Sequence, residues 1–202
     1  MEQNNQAKVP HNDDWKKAEK GILLYLHDLL CLLGVILLVF LFCFRVVVVS
    51  GTSMNNTLND GDYLLMLGNL FYTDPQRGDI IVASKAGYED GFPIVKRVIA
   101  TEGQTVDIDF QSGIVYVDGV ALEESYTNGL TTDKEGVQFP LTVSEDCVFV
   151  LGDNRGVSMD SRNPKIGLID SREILGKAIF LFWPGADMGV ETRDYNRIGV
   201  LQ

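Results

Sequence analysis

Residues Ile22 to Phe44 read ILLYLHDLLCLLGVILLVFLFCF, 23 positions broken only by His27 and Asp28. At about 1.5 Å of rise per residue, a helix of that length reaches about 35 Å, enough for a hydrocarbon core of about 30 Å. Leu29 to Phe44 alone is 16 residues, slightly short of a span. His27 and Asp28 are therefore placed near the headgroups, where a polar side chain costs less than at mid-membrane. The competing reading is a buried helix of a soluble protein. Against it, Leu32 to Phe44 has no polar face apart from Gly34 and Cys43.

Lys8, Lys16, Lys17 and Lys20 precede the segment, and after it only Arg45 occurs before Arg77. The positive-inside rule puts the N-terminus in the cytoplasm and the remainder outside. A cleaved leader fits less well, because the 20-residue head is acidic and polar and no Ala-x-Ala follows the apolar run. The expected organisation is a single-pass protein of the cell membrane. A disordered cytoplasmic head covers residues 1–21, a transmembrane helix 22–44 and an extracytoplasmic domain 45–202.

The outer domain holds 23 of the 28 acidic residues but 13 of the 17 Lys and Arg. Such a surface repels phosphate backbones, so nucleic acid is not an expected partner. Cys31 and Cys43 lie in the apolar run, leaving Cys147 alone beyond it. No disulfide can form within the outer domain, and no Cys/His metal set exists there. Cys147, within Cys147-Val148-Phe149-Val150, reads as a small buried hydrophobe.

That domain reads as strands: 45–50, 63–67, 79–83, 93–100, 106–110, 113–118, 120–122, 147–151 and 174–182, separated by Gly, Pro, Asn and Asp turns. Asp118-Gly119 marks a tight hairpin. From Glu123 to Glu145 the pattern weakens into a long excursion or small lobe. The fold class is mainly β, an antiparallel sheet domain with one N-terminal transmembrane helix.

His11 and His27 are the only histidines, so none lies beyond the apolar run. A Ser-His-Asp triad therefore has no base in the outer domain. Ser53 follows Gly51 at the end of a strand, where glycine permits a tight bend. Lys96 sits in Ile94-Val95-Lys96-Arg97-Val98-Ile99. Side chains alternate in a strand, so one of two adjacent cations must enter a crowded side of the sheet. Desolvation lowers a lysine pKa from about 10.4, and a neutral amine can take a proton from a serine hydroxyl. The bland alternatives are a serine in a turn and two solvated cations on an edge strand. A third block, Gly152 to Arg162, follows a hydrophobic strand and concentrates Asp153, Arg155, Ser158, Asp160, Ser161 and Arg162. Ion pairs of Asp160 with Arg162, or of Asp153 with Arg155, would rigidify it. Ser158 would orient the Lys96 amine, whose long stem needs such a locator.

Taken together, these blocks resemble type I signal peptidase, a membrane-anchored Ser-Lys protease family. Ser50-Gly51-Thr52-Ser53-Met54-Asn55-Asn56-Thr57-Leu58 resembles its nucleophile motif, Arg77-Gly78-Asp79-Ile80-Ile81-Val82 its second strand block, and Lys96-Arg97-Val98-Ile99-Ala100 its general-base motif. Gly152-Asp153-Asn154-Arg155 through Ser158-Met159-Asp160-Ser161-Arg162 resembles its acidic-basic block, and Gly176-Lys177-Ala178 with Trp183-Pro184 its late strand.

The resemblance implies Ser53 as nucleophile, Lys96 as general base and Ser158 as holder of the amine. Asp153, Arg155, Asp160 and Arg162 would brace the site, Met54 would shape its floor, and the Ser53 backbone N–H would receive the oxyanion. It implies secretory precursors with signal peptides as substrates, cut after a small-x-small sequence and bound by strand addition, membrane lipid as a partner, and no cofactor or metal. The family's proline is replaced by Asn56. Its side-chain oxyanion donor, two positions before the nucleophile, is replaced by Gly51, which leaves backbone, water, Thr52 or Ser50 as second donor. Phe71-Tyr72 and Phe180-Leu181-Phe182-Trp183 are candidates for lipid contact or core. A dedicated Ser-Lys processing protease for one precursor class, or a peptide-binding β domain that does not cleave, remains an alternative.

Overall fold

The computed structural model describes residues 12–85, 87–88, 91–186 and 193–201. Two units divide at the end of the N-terminal helix. The first is α1 (Asn12–Cys43). Its apolar side chains from Ile22 to Phe42 stand exposed all round, the pattern of a helix whose solvent is lipid. The helix starts ten residues before the apolar run. Lys16, Lys17, Ala18, Glu19 and Lys20 are good helix formers, and extending a helix already nucleated costs little. Residues 1–11 lie outside the described residues.

The second unit is the expected antiparallel β domain. Its strands are β1 (Phe44–Val48), β2 (Tyr63–Gly68), β3 (Ile80–Ser84), β4 (Pro93–Thr101), β5 (Thr105–Asp109), β6 (Ile114–Val117), β7 (Val120–Ala121), β8 (Leu141–Thr142), β9 (Cys147–Leu151), β10 (Ile169–Asp170), β11 (Ile174–Trp183) and β12 (Gly199–Val200). The larger sheet runs β1-β2-β11-β3-β4-β9-β10, with β12 added to β11 at Phe180 and Leu181. The smaller runs β7-β6-β5-β8. Asp118 and Gly119 form the two-residue hairpin between β6 and β7, both with positive φ, 52° and 77°, as the favoured tight turn demands. The three pairs of residues in β8, β10 and β12 were not anticipated.

Strand β4 organises the core because both of its faces are covered. Val98 packs with Ile81, Val150 and Ile174 on one side. Ile99 and Ala100 pack with Phe149 of β9 and with Val106, Val115 and Val117 of the smaller sheet on the other. A third cluster joins Met54 and Leu58 to Leu64, Ile80, Ala178 and Leu181. Leu181 is thus the core side of the late aromatic run, while Phe182 and Trp183 remain exposed. Phe71 is exposed, and Tyr72 turns inward to donate to Asp79 at 2.7 Å.

Candidate active site

The turn that carries Ser53 is closed by its ends. Val49 N–H donates to Asp62 O and Gly61 N–H to Val49 O, each at 2.9 Å. Gly51 adopts φ +87°, a conformation L side chains rarely enter, and its N–H donates to Asp60 Oδ1 at 2.7 Å. Met54 and Leu58 are fully buried in the cluster beneath. Two apolar side chains pinned below the turn leave Ser53 half-exposed above it.

Lys96 lies opposite Ile81 in the β3–β4 register. It is 5% exposed. Its Nζ stands 2.9 Å from Ser53 Oγ and 3.1 Å from Val95 O. The Ser53 backbone N–H donates to no group among the described residues, so it is open to an incoming acceptor.

Arg97, the neighbouring cation, is also inside, at 1% exposure. Alternation required at least one of the pair to enter a crowded side; two covered faces take both. The Arg97 guanidinium binds Asp153 through two bonds, Nε to Oδ1 at 2.9 Å and Nη2 to Oδ2 at 2.8 Å. Nη1 donates to Gly78 O at 2.8 Å, and the ring of Tyr126 lies 4.0 Å from its Cζ. Thr57 Oγ1, from the nucleophile turn, donates to the same Asp153 carboxylate. A carboxylate with no exposed surface is tolerable only with such complete pairing.

Arg155 therefore does not pair with Asp153, which corrects that expectation. Its guanidinium donates to Glu124 at 3.0 and 2.6 Å and to Thr131 Oγ1 at 2.7 Å. Asp160 and Arg162 do pair, through bonds of 2.8 and 2.9 Å. Burial works against the Arg162 charge, but the Asp160 bond and charge outweigh it and raise its pKa. Glu135, 3.2 Å from Arg162, has its carboxyl pushed up by burial and by the charge of Asp160. Tyr126 is held neutral by burial and by Glu124, to which its hydroxyl donates at 2.9 Å.

The loop meets the nucleophile turn through Asn154. Its N–H donates to Ser53 O and its Nδ2 to Thr52 O, each at 3.0 Å. Ser158 is buried, but its Oγ has no hydrogen-bond partner among the described residues, so the expected bond to Lys96 is not formed. Beside it, a Cβ on Gly152 would stand 2.2 Å from Ser158 Oγ and 2.5 Å from Ser53 O.

Sequence reasoning thus anticipated Ser53, Met54, Lys96, Asp153, Arg155, Ser158, Asp160 and Arg162, all of which gather here. It missed Arg97, Asn154, Thr57, Glu124 and Tyr126. Glu124 and Tyr126 come from the 123–145 excursion, which folds back on the site: Asn128 pairs with Asn154, and Val137 N–H donates to Arg162 O at 3.0 Å.

A groove of about 630 Å³ runs beside Ser53, lined by 47–54, 92–96, Tyr88, Val157 and Met159. Along it, Pro93 to Lys96 pair with β3 on one side only, because β9 joins β4 from Arg97 onward. No strand pairs with the other side of Pro93 to Val95 among the described residues.

The family model described as signal peptidase, peptidase S26, matches residues 22–183. A signal peptidase I of Bacillus licheniformis is 37% identical over 156 residues, 73% of this chain and 81% of that protein. A probable signal peptidase I-1 of Synechocystis is 38% identical over 151 residues, 70% of this chain and 72% of that one. A signal peptidase I from Enterococcus faecalis V583, known from a crystal structure, is 33% identical, with 52% of this chain and 96% of that chain covered at a TM-score of 0.43. With a β domain, one apolar helix of membrane-spanning length, the family-model match over residues 22–183 and the Bacillus licheniformis relative, the chain belongs to the signal peptidase I family of membrane-anchored serine peptidases.

Proposed function

We propose that the chain removes signal peptides from secretory precursors, with Ser53 as nucleophile and Lys96 as general base. The observation that carries this reading is the 2.9 Å separation of Lys96 Nζ from Ser53 Oγ, with the lysine buried. Burial disfavours the charged form of an amine, and only the neutral amine can accept the serine proton.

An extended peptide would add along the β4 edge at Pro93 to Val95, its alternate side chains entering the groove. Lys96 takes the proton of Ser53, whose oxygen attacks the scissile carbonyl. The oxyanion receives the Ser53 N–H, whose value lies in being preorganised. Lys96 then returns the proton to the leaving amine as the C–N bond breaks. It next takes a proton from water, whose oxygen attacks the acyl ester; the proton goes back to Ser53 Oγ as the acid departs. Small residues at the first and third positions before the cut are the expected substrates. The head of the chain would be cytoplasmic and residues 45–202 extracytoplasmic, as the lysine asymmetry argues.

The test uses the full chain in lipid vesicles with a secretory precursor carrying a small-x-small site. Ser53→Ala and Lys96→Ala should each abolish cleavage while circular dichroism shows an unchanged fold. Turnover by either variant would remove the proposed pair.

A further inference from the structure

We infer that Arg197, 144 positions beyond the nucleophile, is a positioning residue that holds the Ser53 turn from its far side. This inference rests on the reading of Ser53 as nucleophile and extends it to the C-terminal tail.

The turn from Ser50 to Asp62 has no regular secondary structure beneath Ser53. Its geometry depends on what grips it. One grip comes from the 152–162 loop, through Asn154 at Thr52 and Ser53 and through Asp153 at the Thr57 hydroxyl. Arg197 supplies the other. Its guanidinium binds Asp62 through two bonds, Nη1 to Oδ1 at 3.0 Å and Nη2 to Oδ2 at 2.6 Å. The same Nη2 donates to Thr57 O at 3.2 Å. Thr57 is thus held twice, its hydroxyl by the carboxylate that pairs with Arg97 and its carbonyl by the tail.

Asp62 has no exposed surface. It also accepts from Asn59 N–H at 2.7 Å and from Gly185 N–H at 2.6 Å. It therefore joins the end of the turn, the end of β11 and the tail at one carboxylate. A bidentate guanidinium–carboxylate pair fixes orientation as well as distance.

The tail is itself tied down. Tyr195 to Arg197 form a short 3-10 helix capped by Asp194, β12 pairs with β11, and Leu201 N–H donates to Ile179 O at 3.0 Å. The rings of Trp183 and Tyr195 meet edge to face at 5.8 Å. Arg197 thus reaches the turn from a fixed base. The chain from Ser53 to Leu58 lies between two fixed guanidinium–carboxylate pairs, Arg97–Asp153 and Arg197–Asp62. Removing one should let the turn drift relative to Lys96, and a misplacement of about 1 Å costs about a hundredfold in rate.

The experiment measures kcat and KM separately on the full chain in vesicles, with a fluorescence-quenched peptide carrying a small-x-small site, for wild type, Arg197→Ala and Arg197→Lys. Arg197→Ala should lower kcat by about tenfold or more with KM little changed, the pattern of a lost transition-state arrangement. Methylguanidinium in the buffer should restore part of that kcat. Arg197→Lys should keep more of the thermal stability but not the kcat, because a point charge cannot span Asp62 and Thr57 together. A folded Arg197→Ala with wild-type kcat, or a loss that follows only the folded fraction, overturns the inference. Should Arg197→Ala not fold, wild-type kcat in Arg197→Lys overturns it. Ser53→Ala in the same assay separates the two claims: if it still turns over, the nucleophile assignment has failed, whatever Arg197 does.

Discussion

The smaller sheet and the Ser53 turn solve opposite problems. In β5 to β7 each strand pairs with its neighbour in sequence, through a two-residue hairpin or a short turn. Its hairpins are local, only β8 joins β5 from farther along the chain, at Thr142 opposite Thr105, and its inner side chains are aliphatic. The Ser53 turn is closed locally, by Val49, Gly51, Asp60 and Asp62, but what reaches it from the rest of the fold is distant in sequence. Those contacts come from Lys96, Asn154, Asp153 and Arg197, 40 or more positions away, and they are polar or charged. Local pairing yields a rigid body that tolerates change. Distant polar ties place one hydroxyl against one amine, and each tie is expensive to break because its partner stays buried.

That contrast can be tested by substitution, beginning where the loss should be largest. Lys96→Arg should lower turnover at least about a thousandfold, since a guanidinium stays protonated and cannot serve as base; kcat on a secretory precursor is the measurement. An active Arg variant would break the neutral-amine mechanism. Asp153→Asn should cost about 3–5 kcal/mol of stability, because it leaves Arg97 buried beside an uncharged partner, and should reduce cleavage as well. Chemical denaturation reads the first effect and kcat the second. Tyr126→Phe removes only the hydroxyl bond to Glu124 and keeps the ring on Arg97, so a loss of about 1 kcal/mol is expected. Tyr126→Ala should cost several times that and lower kcat.

On the other side of the comparison, Gly119→Ala strains a turn residue at φ +77° and should cost about 1–2 kcal/mol. Activity per folded molecule should stay unchanged; a fall would mean that the smaller sheet positions the site. The smallest effect belongs to Glu135. Its carboxyl is raised, first by burial, so the fold favours its protonated form. Its contribution to stability is present below the unfolded carboxyl pKa and lost as pH rises through the folded one. Glu135→Gln should remove that pH-dependent component and shift stability at pH 7 by no more than about 0.5 kcal/mol.

Much of this arrangement was legible in the sequence where one residue type repeats along an element. The apolar run of α1, the β-branched stretches of β3, β4 and β9, and the Asp118-Gly119 hairpin all announce themselves locally. The first turns of α1 did not, because charged helix formers look like any polar head until an adjoining helix recruits them. Strands of two residues leave no period to read. At the site, Ser53, Lys96 and the 152–162 block stood out by composition and by the lack of a histidine. Their pairing did not. Alternation alone gives Arg97 no partner and no role; both β4 faces are covered, and it is buried. Asp153 was matched to Arg155 by proximity in sequence, whereas the chain turns between them and sends one inward to Arg97 and the other toward Glu124. Glu124 and Tyr126 lie in a stretch without periodicity, where only contact in three dimensions gives them meaning.

At Gly152 the chain passes so close to the carbonyl of Ser53 and the hydroxyl of Ser158 that even a methyl group has no room. Any side chain at position 152 would have to displace Ser158 or the Ser53 main chain. Phe92, Val157 and Met159, by contrast, line the groove and stand exposed. If the groove takes the peptide as proposed, exchanging those three side chains should alter which sequences are cut while leaving Ser53 and Lys96 in place.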